Sequence, residues 1–303
     1  MNGSFVSFVE KKLNRLCVFF DLVKFEHTLF ALPFAYLGMA LASSVAAGGW
    51  PGWSKFIWIT VAMVAARTLA MSANRLVDRE LDVRNPRTMN RPLPRGLISS
   101  RAVAVYAGVS LAVLAVAAWQ LNPLCLLLLP GALVFLLGYH YTKRFTWLSH
   151  WVLGFADGLA APGAWVAVRG SILTWADLPA WLLLFAVTFW IGGFDLIYAC
   201  QDVDVDRREG LHSIPADFGV ATALLLARIC HLVTVVLLAG VGLTMSLSWP
   251  FWVGLVAIVA MLVYEHSLVS PQDLSRLDLA FFNMNGYISI TVFAATLLSL
   301  WVR

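Results

Sequence analysis

Nine stretches of the chain consist almost entirely of apolar residues, and they constrain the fold more than any other feature. A helix needs about 20 mostly apolar residues to cross a bilayer. The predicted spans are residues 28–47, 54–74, 101–121, 123–140, 147–167, 177–201, 219–245, 249–267 and 279–301. Overall, 60% of the residues are hydrophobic and 13% are charged, against about 45–50% and about 25% in soluble domains. The sequence therefore predicts an all-α polytopic membrane protein with nine transmembrane helices, forming a single domain over residues 1–303.

The basic residues are distributed unevenly between the two sides of these spans. With the N-terminus in the cytoplasm, 16 of the 21 Lys and Arg residues lie on the cytoplasmic side, and Arg67 and Arg228 lie inside spans. Only Lys55, Arg169 and Arg303 fall outside. Cytoplasmic loops of membrane proteins carry an excess of Lys and Arg. We therefore expect an integral membrane protein with a cytoplasmic N-terminus and an external C-terminus. Because we find no targeting segment in the sequence, we expect a prokaryotic inner membrane, with an organelle membrane as the alternative.

The first 26 residues are amphipathic and basic, and they contain no apolar core followed by a cleavage site of small residues. A secretory signal peptide has both features. Residues 1–26 are therefore predicted to form a cytoplasmic segment that precedes the first span. The net charge of +4 follows the membrane topology, so we expect the lipid bilayer, and no nucleic acid, as a partner.

Two acidic series mark the predicted cytoplasmic ends of the second and sixth spans. The first is Asn74, Asp78 and Asp82, and the second is Asp202 and Asp206, each member four positions after the previous one. On a helix such residues share a face, with about 5–6 Å between their Cβ atoms. Carboxylates this close repel each other, and a divalent cation bound by oxygen ligands offsets the repulsion. The five residues are thus predicted to bind Mg²⁺, with Asn74 supplying either an amide oxygen to the metal or a donor to phosphate.

A structural explanation for these acids is that they form salt bridges with neighbouring arginines, namely Arg75, Arg79, Arg207 and Arg208. A single acidic series would favour that explanation. Two series on one side of the membrane, each followed by a long polar loop, instead favour a binding site that the loops cover. Asp204 points to another face of its helix and is expected to be solvated.

Three further residues lie deeper on the same two spans: Arg67, Asp195 and Tyr198. An ionisable residue inside a span is costly and usually faces a partner within the protein. Two interpretations of Arg67 stay open: a structural ion pair with Asp195 or another acid, or support for the acidic series from behind. Asp195 and Tyr198 are assigned a supporting role on the face of the second series.

A further pair follows the fourth span, where Tyr139 and Lys143 lie four residues apart. A lysine at the end of a span often only extends towards the membrane surface. If the pair faces the acidic series, Lys143 binds diphosphate oxygens and Tyr139 donates a hydrogen bond. Other candidates for binding diphosphate are Arg75, Arg144 and Arg207. His27 and His212 are either structural or catalytic.

These residues together indicate a membrane site that binds a diphosphate through Mg²⁺ and basic side chains. A prenyl diphosphate combines that group with a lipid-soluble chain. The metal and the cations would stabilise the leaving diphosphate, so that the C–O bond breaks and an allylic carbocation forms. A dry apolar cavity would protect the cation until an acceptor captures it. The residues predicted to be catalytic are Asp78, Tyr139, Lys143 and Asp202.

The sequence resembles the UbiA superfamily of intramembrane prenyltransferases over nearly its whole length. The motifs that carry the resemblance are, in order, NRLVDRELD (74–82), RTMNRPLPRG (87–96), Tyr139-x-x-x-Lys143 and YACQDVDVD (198–206), followed by Gly210 and Ser213. The resemblance implies nine transmembrane helices around a central cavity and Mg²⁺ bound through the two aspartate motifs. It also implies transfer of a polyprenyl group to an aromatic or other acceptor. On this basis the acidic series are metal and diphosphate ligands, and Lys143 and Arg144 are diphosphate ligands.

One motif departs from the family pattern, because many members have Asn-Asp where this chain has Asn74-Arg75. The change removes one acid and places a cation beside the site. The branch that the chain resembles is the one whose acceptor is 4-hydroxybenzoate. Within it, residues 193–219 resemble a subgroup associated with the futalosine route to menaquinone, whose acceptor is 1,4-dihydroxy-6-naphthoate.

Other functions stay open on the sequence alone. Prenyl transfer to haem, chlorophyllide or a glycerol phosphate would use the same acidic series. Phosphatidyl transfer from CDP-alcohols is disfavoured, because its compact Asp-Gly…Ala-Arg…Gly arrangement is missing from the chain. A transporter would usually carry its carboxylates near the middle of the bilayer, and not at the ends of spans.

Overall fold

The computed structural model of the protein describes residues 17–23, 25–46, 49–277 and 284–302, with side chains left out for residues 25–31. Most of the predicted N-terminal segment and the side chain of His27 therefore lie outside the described residues. The helices are α1 (Phe25–Ala46), α2 (Trp53–Val77), α3 (Arg79–Arg84), α4 (Ser100–Leu121), α5 (Pro123–Thr142), α6 (Ser149–Gly158), α7 (Ala160–Arg169), α8 (Leu178–Ala199), α9 (Val203–Glu209), α10 (Ile214–Phe218), α11 (Val220–Thr244), α12 (Trp249–Ser267) and α13 (Asn285–Trp301).

The predicted class is confirmed, because every predicted span coincides with a helix or a pair of helices. Over the described ranges, seven helical segments are long and apolar enough to cross a membrane. The apolar helices Leu32–Ala46 and Asn285–Trp301 are shorter, so the count of nine spans stays a prediction. The fifth predicted span consists of α6 and α7, which join at Leu159.

Helix α8 lies at the centre of the bundle and packs against α6, α7 and α11. Its sequence is apolar around nearly its whole circumference, which is typical of a helix that is buried on all sides. Around it, α2 packs against α4, α1 packs against α7, and α13 packs against α12 and α1. The polar residue Asp195 in its last turns is therefore held between helices and not exposed to lipid.

The predicted outer end of α8 is fixed by Asp177, which is fully buried. Its carboxylate accepts hydrogen bonds from Trp165 Nε1 at 2.9 Å and Arg169 Nε at 3.1 Å, and from the hydroxyls of Ser171 and Thr174. Because the donors come from α7 and the following loop, this carboxylate joins α7 to α8. The second acidic series follows the opposite end of α8.

A close approach of two backbones sets the distance between α6 and α8. Gly154 of α6 lies against the carbonyl oxygen of Thr188, and a Cβ atom at residue 154 would overlap that oxygen. Small residues at helix contacts in membranes allow such approaches. The crossing places His150, one turn before Gly154, within hydrogen-bond distance of Asp195.

We expect Gly154→Ala to destabilise the purified protein by about 1–3 kcal/mol, because a backbone oxygen cannot move aside as a flexible side chain would. Thermal unfolding in detergent measures the change. The matched control is Gly108→Ala on α4, where the added methyl meets open space. That variant should be unchanged or more stable by up to about 1 kcal/mol. Equal melting temperatures of the two variants would show that the α6–α8 crossing is not tightly packed.

Candidate functional site

A cavity of about 530 Å³ lies inside the bundle, and a second cavity of about 210 Å³ adjoins it. The residues that line both are Asn74, Arg87, Arg91, Tyr139, Lys143, Leu153, Asp195 and Asp202. The smaller cavity is also lined by the remaining aspartates of the two acidic series, Asp78, Asp82 and Asp206. The larger one ends in an apolar wall formed by Phe34, Val187, Trp190, Ile191 and Phe194. The combined space thus has a charged end and an apolar end.

Both acidic series are built on the same local backbone, at the point where a long helix gives way to a short one. Asp78 ends α2 with φ −95° and ψ 10°, and Asp202 precedes α9 with φ −98° and ψ 4°. This region of backbone conformation is sparsely populated and recurs at active sites. The predicted series are therefore not on continuous helices. The hydrogen bonds Asp78 N–Asn74 O (2.9 Å) and Asp82 N–Asp78 O (2.7 Å) still keep the first series in helical register.

The first series is held by two arginines from different loops. Asp82 accepts a hydrogen bond of 2.7 Å from Arg91 Nη1, and Asp78 lies 3.4 Å from Arg144 Nη2. Asn74 donates to Asp78 through Nδ2 at 2.8 Å. The carboxylate of Asp82 is nearly inaccessible, so the partner arginine is needed to offset its burial.

The second series has the same arrangement with different cations. Asp202 accepts from Arg87 Nε at 3.0 Å and Nη2 at 2.7 Å, which is a two-point contact of the kind that fixes geometry. Asp206 lies 3.3 Å from Lys143 Nζ and accepts from Ser213 Oγ at 2.8 Å. Each aspartate of the two series therefore has its own cationic partner.

Burial and these charges change the protonation behaviour of the charged end. Burial, and secondly the neighbouring Asp82 carboxylate, raise the pKa of Asp78 to about 6, against the opposing effect of Arg144. Burial by itself would lower the pKa of Lys143, but the carboxylates around it, first that of Asp206, outweigh burial and raise it. Lys143 is therefore a permanent cation at the boundary of the two cavities.

The residues of the charged end fit the magnesium ion that the sequence predicts. In the part of the chain described, no three His, Cys, Asp or Glu side chains converge as a preformed metal cage. Mg²⁺ is, however, usually bound by one or two carboxylates together with waters and substrate phosphate. Asp82 Oδ2 is buried and has no hydrogen-bond partner among the described residues, which leaves it available as a ligand. The hard oxygen donors of the two series are the type that this ion prefers.

Two predicted diphosphate ligands have other roles in the structure. Arg75 is buried, donates to Leu22 O at 3.3 Å and holds Asn74 Oδ1 at 2.9 Å, although it also lines the larger cavity. Arg207 lines neither cavity and donates to Ala216 O at 2.9 Å. The geometry therefore makes Arg75 a support for Asn74 and disfavours contact of Arg207 with the diphosphate.

Other predicted residues lie on the cavity wall or close to it. Tyr139 and Lys143 line both cavities, and Arg144 lines the smaller one. Tyr198 lines the larger cavity and accepts from Arg87 Nη1 at 3.1 Å. His212 interacts with Asp217 at 3.2 Å, away from both cavities.

The cations that hold Asp82 and Asp202 were not singled out from the sequence. Arg87 and Arg91 belong to the RTMNRPLPRG motif and to the loop predicted to cover the site, but their individual roles were not assigned. Their spacing of four residues, the same as in the acidic series, is the signal that could have identified them. Asn85, which donates to Asp202 Oδ1 at 3.2 Å, carried no such signal.

A second, smaller group of charges also lines the larger cavity. Arg67 lines this cavity, and its Nε is buried without a hydrogen-bond partner among the described residues. Asp157, which the sequence did not single out, lies near enough to act on it electrostatically. The ion pair of Arg67 with Asp195 that was one interpretation is not formed, because Asp195 Oδ2 is bound to His150 Nδ1 at 2.7 Å.

Comparison with known proteins places this geometry in a family. The model of the UbiA prenyltransferase family matches residues 31–287. A 4-hydroxybenzoate octaprenyltransferase of Cupriavidus metallidurans is 34% identical over 288 residues, which covers 93% of this chain and 94% of the relative. A similar protein of Cupriavidus necator is 32% identical over 96% of this chain and 100% of the relative.

Solved structures agree in fold. A UbiA homologue of Aeropyrum pernix K1 superposes with a TM-score of 0.81 at 32% identity, covering 90% of this chain and 98% of the homologue. A homologue of Archaeoglobus fulgidus, bound to DMAPP and Mg²⁺, superposes with a TM-score of 0.70 at 22% identity, covering 94% and 99%. The chain therefore belongs to the UbiA prenyltransferase family and is an integral membrane prenyltransferase.

Proposed function

We propose that the protein transfers a polyprenyl group from a prenyl diphosphate to an aromatic acid in quinone biosynthesis, with Mg²⁺ as the cofactor. The acceptor is 4-hydroxybenzoate, as in ubiquinone synthesis, or 1,4-dihydroxy-6-naphthoate, as in menaquinone synthesis. The observation that carries the proposal is a cavity with four carboxylate–cation pairs at one end and aromatic residues at the other. Arg67 also lines this cavity. The names of the Cupriavidus relatives and the ligands of the Archaeoglobus homologue support it.

The charged end would bind the diphosphate by an exchange of partners. The carboxylates of the two acidic series would hold Mg²⁺, and the cations they release would bind phosphate oxygens: Arg87, Arg91, Lys143 and Arg144. Every charge keeps an opposite partner through the exchange, which avoids the cost of a buried unpaired ion. When bound, Mg²⁺ supplies Lewis-acid stabilisation of the negative charge that develops on the leaving diphosphate.

Side chains of the protein then stabilise the carbocation and protect it from water. The allylic C–O bond breaks with its electron pair remaining on the diphosphate, where Lys143 and Arg87 offset the new charge. Phe34, Trp190 and Phe194 form contiguous ring contacts in the cavity wall, with centroids 5.0 and 5.2 Å apart. Aromatic faces attract cations and exclude water. The wall thus favours capture of the carbocation by the acceptor over capture by water.

Arg67 would bind the carboxylate of the acceptor. Both proposed acceptors carry a carboxylate on the ring, and Arg67 offers a buried Nε that has no protein partner among the described residues. A hydrogen bond to a charged group contributes about 1.5–3 kcal/mol. Its place in the larger cavity, away from Asp78 and Arg144, separates the acceptor from the diphosphate.

We further propose that the membrane is the inner membrane of a bacterium, with the N-terminus and the charged end of the cavity in the cytoplasm. Soluble acceptor and released diphosphate would then exchange with the cytoplasm directly. Labelling of single cysteines introduced at residues 2 and 302 in intact cells tests this orientation. Reaction at residue 302 alone is expected, and reaction at residue 2 alone would reverse the topology.

Asp78→Asn and Asp202→Asn should each lower kcat for prenyl transfer by about 10²–10³-fold, because each removes charge that binds the metal. The measurement is Mg²⁺-dependent formation of prenylated product from labelled prenyl diphosphate, with 4-hydroxybenzoate and 1,4-dihydroxy-6-naphthoate assayed separately. Asp204→Asn is the matched control, because Asp204 is exposed between the two residues of the second series. Its activity should equal that of the wild type.

Product from one acceptor assigns the pathway. Binding of prenyl diphosphate that depends on Mg²⁺, without product from either acid, would contradict the proposed acceptors and point to another acceptor. If neither binding nor product responds to Mg²⁺, the acidic series is structural and the proposed mechanism is wrong.

Arg67→Leu should raise the KM for the aromatic acid by about 10–100-fold, the equivalent of one charge-assisted hydrogen bond. The KM for prenyl diphosphate should stay within about twofold, because Arg67 lies away from the diphosphate end. Arg228→Leu, on the exposed face of α11, is the control and should change neither constant. An equal rise in both KM values for Arg67→Leu would show that Arg67 supports the acidic series and does not bind the acceptor.

A further inference from the structure

A buried histidine that the proposed chemistry does not use holds one carboxylate of the cavity wall in place. His150 is fully buried and lines neither cavity. Its Nδ1 lies 2.7 Å from Asp195 Oδ2, and its Nε2 lies 3.3 Å from the backbone nitrogen of Ile214. Because a backbone N–H can only donate, Nε2 accepts, and the ring proton is on Nδ1. His150 is therefore a neutral donor to the carboxylate of Asp195.

The arrangement is rigid because three elements meet in it. Asp195 belongs to α8, His150 to α6, and Ile214 begins α10. The tight crossing of α6 and α8 at Gly154 fixes the distance between the first two. In many enzymes a catalytic group is oriented by a second residue, which is oriented in turn by a third group. Asp195, His150 and the backbone N–H of Ile214 are arranged in the same way.

Asp195 lies where the two substrates would meet. It lines both cavities, whereas Arg67 lines only the larger one and Asp78 only the smaller one. The ring of an acceptor held by Arg67 through its carboxylate would extend towards this boundary, and the first carbon of the prenyl chain would approach it from the diphosphate side. The hydroxyl of such an acceptor, at the opposite end of the ring from the carboxylate, is then the group that faces Asp195.

Two charged side chains from other helices act on Asp195. Lys143 at the end of α5 and Asp157 on α6 both interact with it electrostatically. Lys143 already forms an ion pair with Asp206, and Asp157 interacts electrostatically with Arg67. Of the acids that line the larger cavity, Asp195 has a neutral partner, while Asp202 is bound by Arg87.

We propose that Asp195 is the base that accepts the hydroxyl proton of the acceptor, and that His150 positions it. This inference rests on the proposed function. As the allylic C–O bond breaks with its electrons on the diphosphate, the O–H proton passes to Asp195 and the ring carbon beside the oxygen forms the new C–C bond. The proton on that ring carbon then leaves to the diphosphate, and Asp195 returns its proton to the oxygen. The products are the prenylated acid and a singly protonated diphosphate.

Asp195→Asn tests the assignment, because asparagine can still accept from His150 Nδ1 but cannot take a proton. With 4-hydroxybenzoate, kcat should fall by about 10²–10⁴-fold, the usual contribution of a general base. The variant is then assayed with fluorinated 4-hydroxybenzoates that keep one free position beside the hydroxyl. Fluorine makes the hydroxyl more acidic, so the ratio of wild-type to variant kcat should shrink as acidity rises. Asp157→Asn is the matched control, and its ratio should be constant across the series.

A constant ratio for Asp195→Asn across the fluorinated acids would overturn the base assignment, because a structural loss does not depend on the acidity of the acceptor. In the absence of acceptor, this variant should still release diphosphate slowly. Such release would show that the charged end of the cavity is intact. If the wild type itself prenylates neither acid, the proposed function fails, and the base assignment falls with it.

A second pair of variants keeps the test decisive if Asp195→Asn does not fold. His150→Gln retains a donor to Asp195 and an acceptor for the N–H of Ile214, whereas His150→Phe removes both. We expect kcat to fall at least about tenfold further in His150→Phe than in His150→Gln, with an unchanged KM for prenyl diphosphate. Equal kcat values, or a matching rise in that KM, would show that His150 only stabilises the fold.

Discussion

The pairing of four aspartates with four cationic side chains is the interaction on which the rest of the site depends. A carboxylate that is removed from water costs several kcal/mol unless an opposite charge and hydrogen bonds replace the lost hydration. Asp82 and Asp206 are almost inaccessible. Asp82 is stabilised by Arg91, nine residues later in the chain, and Asp206 by Lys143 at the end of α5. These ion pairs therefore fold the polar loops onto the helix ends. In the proposed function, the same pairs would supply ligands for a metal and ligands for a diphosphate in equal number.

The packing of the bundle sets up the other end of the cavity. Gly154 lets α6 approach α8, and this approach brings His150 to Asp195. The aromatic residues Trp190 and Phe194 of α8 line the same cavity. Helix α8 carries one acidic residue, Asp195, within its otherwise apolar sequence, and Asp202 follows its end. In the proposed function, ionisation of the diphosphate and activation of the acceptor would take place at these two different depths.

The sequence predicted the class of fold and the two acidic series, because hydropathy and a spacing of four residues are local, periodic signals. It did not predict the partners of the acids. Arg87 and Arg91 lie in an irregular loop, so their spacing of four residues is a weaker signal than the same spacing on a helix. Arg207 was a candidate for binding diphosphate, yet it lies on α9 and donates a hydrogen bond to Ala216 O on α10. His150 and Asp195 are 45 residues apart, so only the helix packing brings them together.

The most direct test of the exchange of partners is titration calorimetry of the wild type and Arg87→Ala with two ligands. The first is Mg²⁺ alone, and the second is an unreactive prenyl thiodiphosphate in saturating Mg²⁺. Removing Arg87 frees Asp202 but deletes a ligand of the diphosphate. We therefore expect Mg²⁺ alone to bind more tightly and the thiodiphosphate more weakly, with Arg79→Ala unchanged in both. Weaker binding of both ligands, or no change in either, would contradict the idea that these cations alternate between aspartate and phosphate.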